Sequence, residues 1–211
     1  MVYLFQGDSV TDCGWNRGDP RSLGDGYVKR IAAVLREKYP DTDATIINRG
    51  VSGNRVKDLA ARWEEDCLRL KPKLLTILIG INDCWRRFDS NDPTTVESYE
   101  KTYREIIGRA YSAVPGIEII IMEPFMLPVT EEMLLWREDL DPKIHAARRI
   151  AVDLKCRFVP LDGIFAQAAS EKGYAFLAGD GVHPTQEGHK LIAEAWIAMY
   201  EKVITSRVLP Q

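Results

Sequence analysis

Two kinds of apolar segment alternate along this chain, and their alternation restricts the fold more than any other feature of the sequence. Five short runs consist almost entirely of apolar residues, at residues 2–5, 44–47, 74–79, 117–122 and 158–161. The longer segments between them carry apolar residues every three or four positions, which is typical of amphipathic helices. Unbroken apolar runs suit strands that are covered on both faces. The pattern therefore predicts an α/β protein, a flavodoxin-like three-layer α/β/α sandwich with about five parallel strands.

Length and charge exclude several classes of protein. The chain has 211 residues, and no repeat, low-complexity tract or Ser/Gly linker divides it, so residues 1–211 are predicted to form a single domain. Lys and Arg number 28 against 31 Asp and Glu, which leaves no basic excess for binding nucleic acid. The longest apolar runs are far shorter than the ~20 residues that a membrane-spanning helix needs. We therefore expect neither a nucleic-acid nor a membrane partner.

The cysteines and the first residues bear on the cellular location. The four cysteines are scattered and contain no Cys-x-x-Cys pair. The N-terminal residues lack the charged region, apolar region and cleavage site of a signal peptide. Reduced, structural thiols and a cytoplasmic location are the expectation from these two features.

Short polar motifs follow the predicted strands. In an open parallel sheet, ligands bind beyond the carboxyl ends of the strands. Gln6-Gly7-Asp8-Ser9 follows the first run, residues 48–54 follow the second, and Gly80-Ile81-Asn82-Asp83 follows the third. A fourth motif, Gly179-Asp180-Gly181-Val182-His183-Pro184, stands just before the last predicted helix. We expect all four motifs to meet at one edge of the sheet.

Three residues of these motifs suit nucleophilic catalysis. Ser9 lies at a strand-to-helix turn, and a serine hydroxyl becomes a useful nucleophile when a histidine accepts its proton. Only His183, among three histidines, lies in a loop motif. Asp180 precedes it by three positions, so that its carboxylate can reach Nδ1 and hold the ring in the productive tautomer. The backbone N–H groups of Ser9 and Gly53 and the side-chain amide of Asn82 are candidate donors to an oxyanion.

At these positions the sequence resembles a known family, the SGNH or GDSL-type hydrolases. The similar blocks are Gly7-Asp8-Ser9, Gly53, Gly80-Ile81-Asn82-Asp83 and Asp180-Gly181-Val182-His183-Pro184, in the order of the family and over almost the whole chain. The resemblance implies that Ser9 is the nucleophile, with Asp180 and His183 as its partners. It further implies an oxyanion hole of Ser9, Gly53 and Asn82, with no metal ion and no organic cofactor. Val10 stands where the family name has leucine.

One branch of the family is similar over longer runs. Residues 7–14, 61–66 and 79–86 resemble bacterial intracellular acetylxylan or xylo-oligosaccharide esterases, which implies removal of acetyl groups from sugar hydroxyls. An acetylated oligosaccharide would be the small-molecule partner. Aromatic rings pack on sugar faces and guanidinium groups bind hydroxyls. Candidate substrate contacts are Asp8, Arg55, Trp85 and Arg86.

Other functions remain open at this stage. A lysophospholipase or thioesterase would use the same triad, and a metal-dependent phosphohydrolase would use Asp8, Asp12, Asp180 and His183 as ligands. A catalytically silent carbohydrate-binding relative is the third alternative. The irregular segment 125–142, with apolar residues that look exposed, would suit a lid, a substrate wall or a subunit contact in a homo-oligomer. The sequence does not choose among these roles, nor does it give the natural ester or its acyl chain.

Overall fold

A single parallel sheet forms the centre of the computed structural model, which describes residues 1–208 and the side chains of residues 1–205. Its five strands are β1 (Val2–Gly7), β2 (Thr45–Gly50), β3 (Leu74–Leu78), β4 (Glu118–Met122) and β5 (Arg157–Val159). They lie in the order β2-β1-β3-β4-β5, and every neighbouring pair is parallel. This is the flavodoxin-like order of an open α/β sheet. The predicted fold class and strand number are confirmed.

Helices cover both faces of the sheet. They are α1 (Ser9–Asp12), α2 (Tyr27–Lys38), α3 (Val56–Asp66), α4 (Ile81–Asp89), α5 (Val96–Ala113), α6 (Glu131–Leu134), α7 (Arg137–Asp153), α8 (Leu161–Lys172), α9 (Tyr174–Leu177) and α10 (Gln186–Val208). A single turn of 3-10 helix, Leu68–Leu70, leads into β3. Within residues 1–208, no helix combines the length and the apolar character needed to cross a bilayer.

The core has two halves because successive side chains of a strand point to opposite faces of the sheet. Tyr3 and Phe5 of β1 pack in the cluster that α2, α8 and α10 cover. Leu4, between them, packs in the opposite cluster, beneath α3, α5 and α7. Trp196 and Trp63 are fully buried in these two clusters, as their helical spacing predicts. Burial on both faces explains why the strand sequences are apolar without alternation.

The structure corrects two predictions from the sequence, a strand boundary and the exposure of one segment. The run 158–161 was expected to be strand throughout, but β5 ends at Val159 and α8 begins at Leu161. Pro160 stands between them, and a proline has no N–H to continue the strand pairing. The apolar residues of segment 125–142 are largely buried rather than exposed, with Leu134 and Leu135 as the exposed exceptions. The segment packs against α4 and Val182, so its side chains complete a third apolar cluster.

Candidate active site

Ser9 and His183 meet at the carboxyl end of the sheet. Ser9 is the first residue of α1, immediately after β1, and its Oγ lies 2.9 Å from His183 Nε2 although 174 positions separate the two residues. His183 Nδ1 lies 2.6 Å from Asp180 Oδ2. A carboxylate only accepts hydrogen bonds, so Nδ1 carries the ring proton and Nε2 is free to accept the serine proton. This hydrogen-bond chain can transfer a proton from Ser9 to the ring while Asp180 holds the ring in place.

The two carboxylate oxygens of Asp180 have different hydrogen-bond partners. Oδ1 accepts from the backbone N–H groups of Val182 at 2.9 Å and His183 at 2.7 Å, which leaves Oδ2 for the imidazole. Partial burial raises the pKa of Asp180, but the hydrogen bonds from His183 and Val182 outweigh it, so that this pKa lies below its usual value. Asp180 is therefore ionised at neutral pH, the state that stabilises an imidazolium beside it.

The segment beneath this loop fixes its position. The N–H of Leu127 donates to Gly181 O at 2.8 Å, between Asp180 and His183. Gly181 has a φ of 82°, and a Cβ there would lie 2.2 Å from Leu127 O, so that only glycine fits. Met133 packs against the same glycine, and Trp136 packs against Trp85 at 5.5 Å between ring centroids. Segment 125–142 thus packs as a wall under the loop.

The three candidate oxyanion donors follow three neighbouring strands. Gly7, at the end of β1, is paired with Gly50 of β2 and Leu78 of β3, so the residues that follow these three positions start from the same edge. Gly53 lies on an exposed turn with a φ of 81°, a conformation that favours glycine. Asn82 is in the first turn of α4 and is only 2% exposed.

The Asn82 amide is held at both ends. Its Nδ2 donates to Asn54 O at 3.2 Å, and its Oδ1 accepts from the Arg86 guanidinium at 3.4 Å. An amide has two donor hydrogens, so one remains for a ligand after the bond to Asn54. Arg86 lies one helical turn after Asn82 and determines which end of the amide is the nitrogen. Arg86 thus has a partner inside the protein, and its contact with substrate stays a prediction.

Asp12 connects α1 with the turn that carries Gly53. Its Oδ2 accepts from the backbone N–H of Ser52 at 2.9 Å and from the Ser52 hydroxyl at 3.0 Å. The N–H of Val51 donates to Gly7 O at 3.0 Å, which ties the same turn to the end of β1. Sequence reasoning assigned no positioning role to Asp12, because nothing in its sequence neighbourhood indicates that Ser52, 40 positions later, is its partner.

Asp8 does not lie on the substrate side, and the prediction that it contacts substrate is wrong. Its side chain is 1% exposed and accepts a hydrogen bond from Val10 N at 3.0 Å, as the N-cap of α1. N-cap carboxylates bind the free N–H groups of the first helical turn, which draws the side chain back toward the helix. Burial raises the pKa of Asp8 to about 7. Asp8 supports the helix that carries Ser9.

The raised pKa of Asp8 predicts a pH-dependent stability. An unfolded aspartate ionises near pH ~4, whereas folded Asp8 keeps its proton to about pH 7. Between these values the unfolded state binds fewer protons, so the free energy of unfolding falls as the pH rises. Asp8→Asn keeps the cap and removes this titration. We expect the stability of the variant relative to the wild type to rise between pH 4 and 7, by at most about 1.4 kcal/mol per pH unit.

Urea denaturation of both proteins at several pH values measures this difference. A difference that is the same at pH 4 and pH 8 would contradict the assignment of a raised pKa to Asp8. The comparison also cancels other titrations, such as that of buried His189, whose pKa burial lowers to about 4.

The remaining candidate contacts differ in the partners that they have inside the protein. Trp85 is half-buried, and its ring centroid lies 5.9 Å from that of His183. The Arg86 guanidinium lies over the Trp85 ring at 5.3 Å and also pairs with Asp89. The Arg55 guanidinium is paired with Asp92, and its side chain is 11% exposed, which leaves little of it for a ligand. Of these three candidates, Trp85 is the one whose contact with His183 the structure shows.

The residues of the metal-site alternative are engaged elsewhere. Asp8 caps α1, Asp12 binds Ser52, and Asp180 binds His183. Within residues 1–208, no three His, Cys, Asp or Glu side chains are grouped as metal ligands would be. The structure offers no support to this alternative.

Comparison with known proteins identifies the family. Residues 5–191 match the sequence profile of the GDSL-like lipase/acylhydrolase family. An acetylxylan esterase from Geobacillus stearothermophilus is 37% identical over 202 residues, which is 92% of this chain and 91% of that protein. A crystal structure of a candidate GDSL-like lipase from Parabacteroides merdae superposes with a TM-score of 0.91, at 36% identity over 94% of both chains.

A second crystal structure, a catalytic variant of the acetylxylan esterase Axe2 from Geobacillus stearothermophilus, gives a TM-score of 0.87 at 34% identity, over 94% of this chain and 93% of that one. The resemblance to SGNH hydrolases is confirmed. Because the profile match and the 37% identical relative both extend over most of the chain, the protein is a carboxylic ester hydrolase of the GDSL-like lipase/acylhydrolase family.

Proposed function

We propose that this esterase removes acetyl groups from acetylated sugars, in particular xylo-oligosaccharides, with Ser9, His183 and Asp180 as its triad. The observation that carries the proposal is the continuous chain of hydrogen bonds from Ser9 through His183 to Asp180, at 2.9 and 2.6 Å. The acetylxylan esterase relative supports the substrate class. In a Ser-His-Asp triad the histidine accepts the serine proton, and the ionised carboxylate orients the imidazole and stabilises the imidazolium.

The reaction has two halves. Ser9 Oγ attacks the carbonyl carbon of the acetyl ester while His183 Nε2 takes the hydroxyl proton, and the carbonyl oxygen becomes an oxyanion. The tetrahedral intermediate collapses, the bond to the sugar oxygen breaks, and the imidazolium gives its proton to that oxygen. Water then attacks the acetyl-serine as His183 takes its proton, and acetate leaves as Ser9 regains a proton. Asp180 stays ionised throughout.

The oxyanion hole of this proposal consists of the N–H groups of Ser9 and Gly53 and the free hydrogen of Asn82 Nδ2. Their start from three adjacent strand ends supports it. Such donors act where negative charge develops, and removal of one typically raises the barrier by about 3–4 kcal/mol.

The open surroundings of the triad suit a large alcohol and a small acyl group. The side chains of His183 and Asp180 are 45% and 50% exposed, so a bulky leaving group can approach them. Trp85 beside His183 offers a ring face to a sugar. A cavity of about 390 Å³ lies between Met126, Pro128, Ala169 and Tyr174, with Arg137 and Asp162 also in its lining, and no triad residue lines it. A long acyl chain would need an apolar cavity that opens at Ser9, and Ser9 does not line this one.

An acyl-chain series tests the proposal. We expect p-nitrophenyl acetate to be hydrolysed faster than the butanoyl and octanoyl esters, and acetylated xylo-oligosaccharides to release acetate. A fluorophosphonate should abolish the activity, and EDTA should leave it unchanged. A rate that rises toward octanoate would favour the lysophospholipase or thioesterase alternative. No hydrolysis of any ester would favour the silent carbohydrate-binding alternative.

Two further proposals accompany this function. We propose one domain over residues 1–211, supported by the single sheet on which all the covering helices pack. We also propose a reducing, cytoplasmic environment, supported by four free cysteines, namely Cys13, Cys67, Cys84 and Cys156. A homo-oligomer remains a prediction from the sequence.

A further inference from the structure

Arg62 of α3 makes four hydrogen bonds inside the protein. Its Nε donates to Asn54 Oδ1 at 2.8 Å, and its NH1 group donates to Gln6 Oε1 at 2.8 Å and Asp66 Oδ2 at 3.0 Å. Its NH2 group lies 3.4 Å from Gly7 O. The Arg62 side chain is only 18% exposed. It belongs to the run 61–66, which resembles acetylxylan esterases but has no role in the mechanism described above.

Two of these four partners lead to the proposed oxyanion hole. Gly7 ends β1, two residues before Ser9, and the same carbonyl accepts from Val51 N in the turn that carries Gly53. Asn54 directly follows Gly53, and its backbone oxygen accepts from Asn82 Nδ2 at 3.2 Å. A shift of Asn54 would therefore move the Gly53 N–H and the Asn82 amide together.

We propose that Arg62 is a positioning residue that sets the oxyanion hole through Asn54, fixing the Gly53 N–H and the Asn82 amide relative to Ser9. The proposal rests on the esterase function proposed above. In this proposal the run 61–66 contributes to catalysis indirectly. The donors of Arg62 bind protein groups, namely Asn54, Gln6, Asp66 and Gly7, so its effect on the reaction passes through Asn54.

The chemistry of the guanidinium suits this task. Its five N–H donors lie in one plane and point in fixed directions, so one side chain can bind acceptors from several segments at once. Asp66, one helical turn away, supplies the compensating charge that a half-buried cation needs. Gln6 holds the Asp66 backbone in turn, with Nε2 donating to Asp66 O at 2.6 Å. A lysine would supply the charge without the fixed geometry.

The effect on the reaction follows from where the donors act. Oxyanion donors stabilise the transition state more than the bound ester, so their displacement lowers kcat and leaves KM nearly unchanged. A misplacement of about 1 Å in a catalytic group can cost about 100-fold in rate. A merely structural arginine would change stability without this division between kcat and KM.

Two variants and one control test the proposal with p-nitrophenyl acetate as substrate. Arg62→Gln removes the bridge, and Asn54→Ala removes only the Asn54 side-chain acceptor while Arg62 keeps Gln6 and Asp66. We expect each to lower kcat about 10- to 100-fold, with KM changed less than about threefold. Inhibition by trifluoroacetone, whose adduct with a serine carries an oxyanion, should weaken by the same factor as kcat/KM falls. Arg69→Gln, at an exposed arginine paired with Glu64 and Glu65, should leave all three values unchanged.

The outcomes separate this inference from the function on which it rests. Inactive wild type, or an active Ser9→Ala variant, would overturn the proposed function itself. An active wild type with kcat within about twofold in Asn54→Ala would overturn the role of Arg62, even if Arg62→Gln failed to fold. A rise in KM at unchanged kcat would overturn it in favour of substrate binding. Parallel losses in both variants, together with weaker inhibition by trifluoroacetone, would support it.

Discussion

Ser9→Ala is expected to lower kcat for acetyl ester hydrolysis by about 10⁴- to 10⁶-fold. Without the hydroxyl no acyl-enzyme can form, and His183 can only activate water at a site built for a serine oxygen. What activity is left would come from the oxyanion donors and from binding alone.

The same variant should fold normally. The side chain that caps α1 is Asp8 rather than Ser9, so the helix keeps its cap. The Ser9 hydroxyl contacts His183 at 2.9 Å, and His183 remains bonded to Asp180 without it. We therefore expect the Tm of Ser9→Ala to lie within a few degrees of the wild-type value, because an exposed hydrogen bond contributes about 1 kcal/mol or less.

Kinetics and covalent labelling measure this effect together. The wild type should gain the mass of a fluorophosphonate, and Ser9→Ala should not. Ser112→Ala is the matched control, since this exposed hydroxyl donates to Gly108 O of its own helix. More than a few per cent of wild-type kcat in a pure preparation of Ser9→Ala would remove Ser9 from the role of nucleophile.

Asn82→Ala is expected to lower kcat by about 10²- to 10³-fold, with a much smaller change in KM. In the proposed oxyanion hole the amide donates to an oxyanion that exists only during the reaction, so its loss would raise the energy of the transition state. Asn54 O and Arg86 hold the amide nitrogen and oxygen in fixed positions, at 3.2 and 3.4 Å. The donor is thus oriented before substrate binds, and no free energy is spent on turning it during catalysis.

A second variant sharpens this test. Asn82→Asp keeps the shape of the side chain but replaces the donor with a negatively charged acceptor, so its kcat should be at least as low as that of Asn82→Ala. Both variants should still react with a fluorophosphonate, only more slowly, because Ser9 and His183 are unchanged. An effect under threefold on kcat would leave Asn82 without a part in the oxyanion hole.

The polar motifs of the candidate site could be placed from the sequence because, in a parallel sheet, position along the chain decides position in space. Three of the four polar motifs follow the carboxyl ends of parallel strands, and parallel strands in register end at one edge of the sheet. The loop with His183 sits beside Ser9 although it follows none of these strand ends. From the sequence, this loop was nevertheless expected to meet the other motifs at the same edge, and the resemblance to a family implied the same placement.

Asp8 shows that adjacency in sequence does not determine the direction in which a side chain points. It stands next to Ser9, and the sequence suggested a substrate contact. The direction of its side chain depends on the start of α1, where the free N–H of Val10 draws the carboxylate inward.

The burial of segment 125–142 was likewise not predictable from its own sequence. Its apolar residues look exposed when no partner is visible, but Met133 and Trp136 are buried against the loop and Trp85.

The amino-acid sequence alone determined the five strands and their order along the chain, because apolar patterning is a local property that follows from the geometry of one strand or helix. It also determined which motifs stand at strand ends. Only the tertiary structure decided that Arg62 of α3 reaches Asn54 and Gln6, that Asp12 holds Ser52, and that Asp8 turns away from the surface. These contacts join side chains from separate segments, and their directions are set by rotamers and packing that no pattern along a single segment contains.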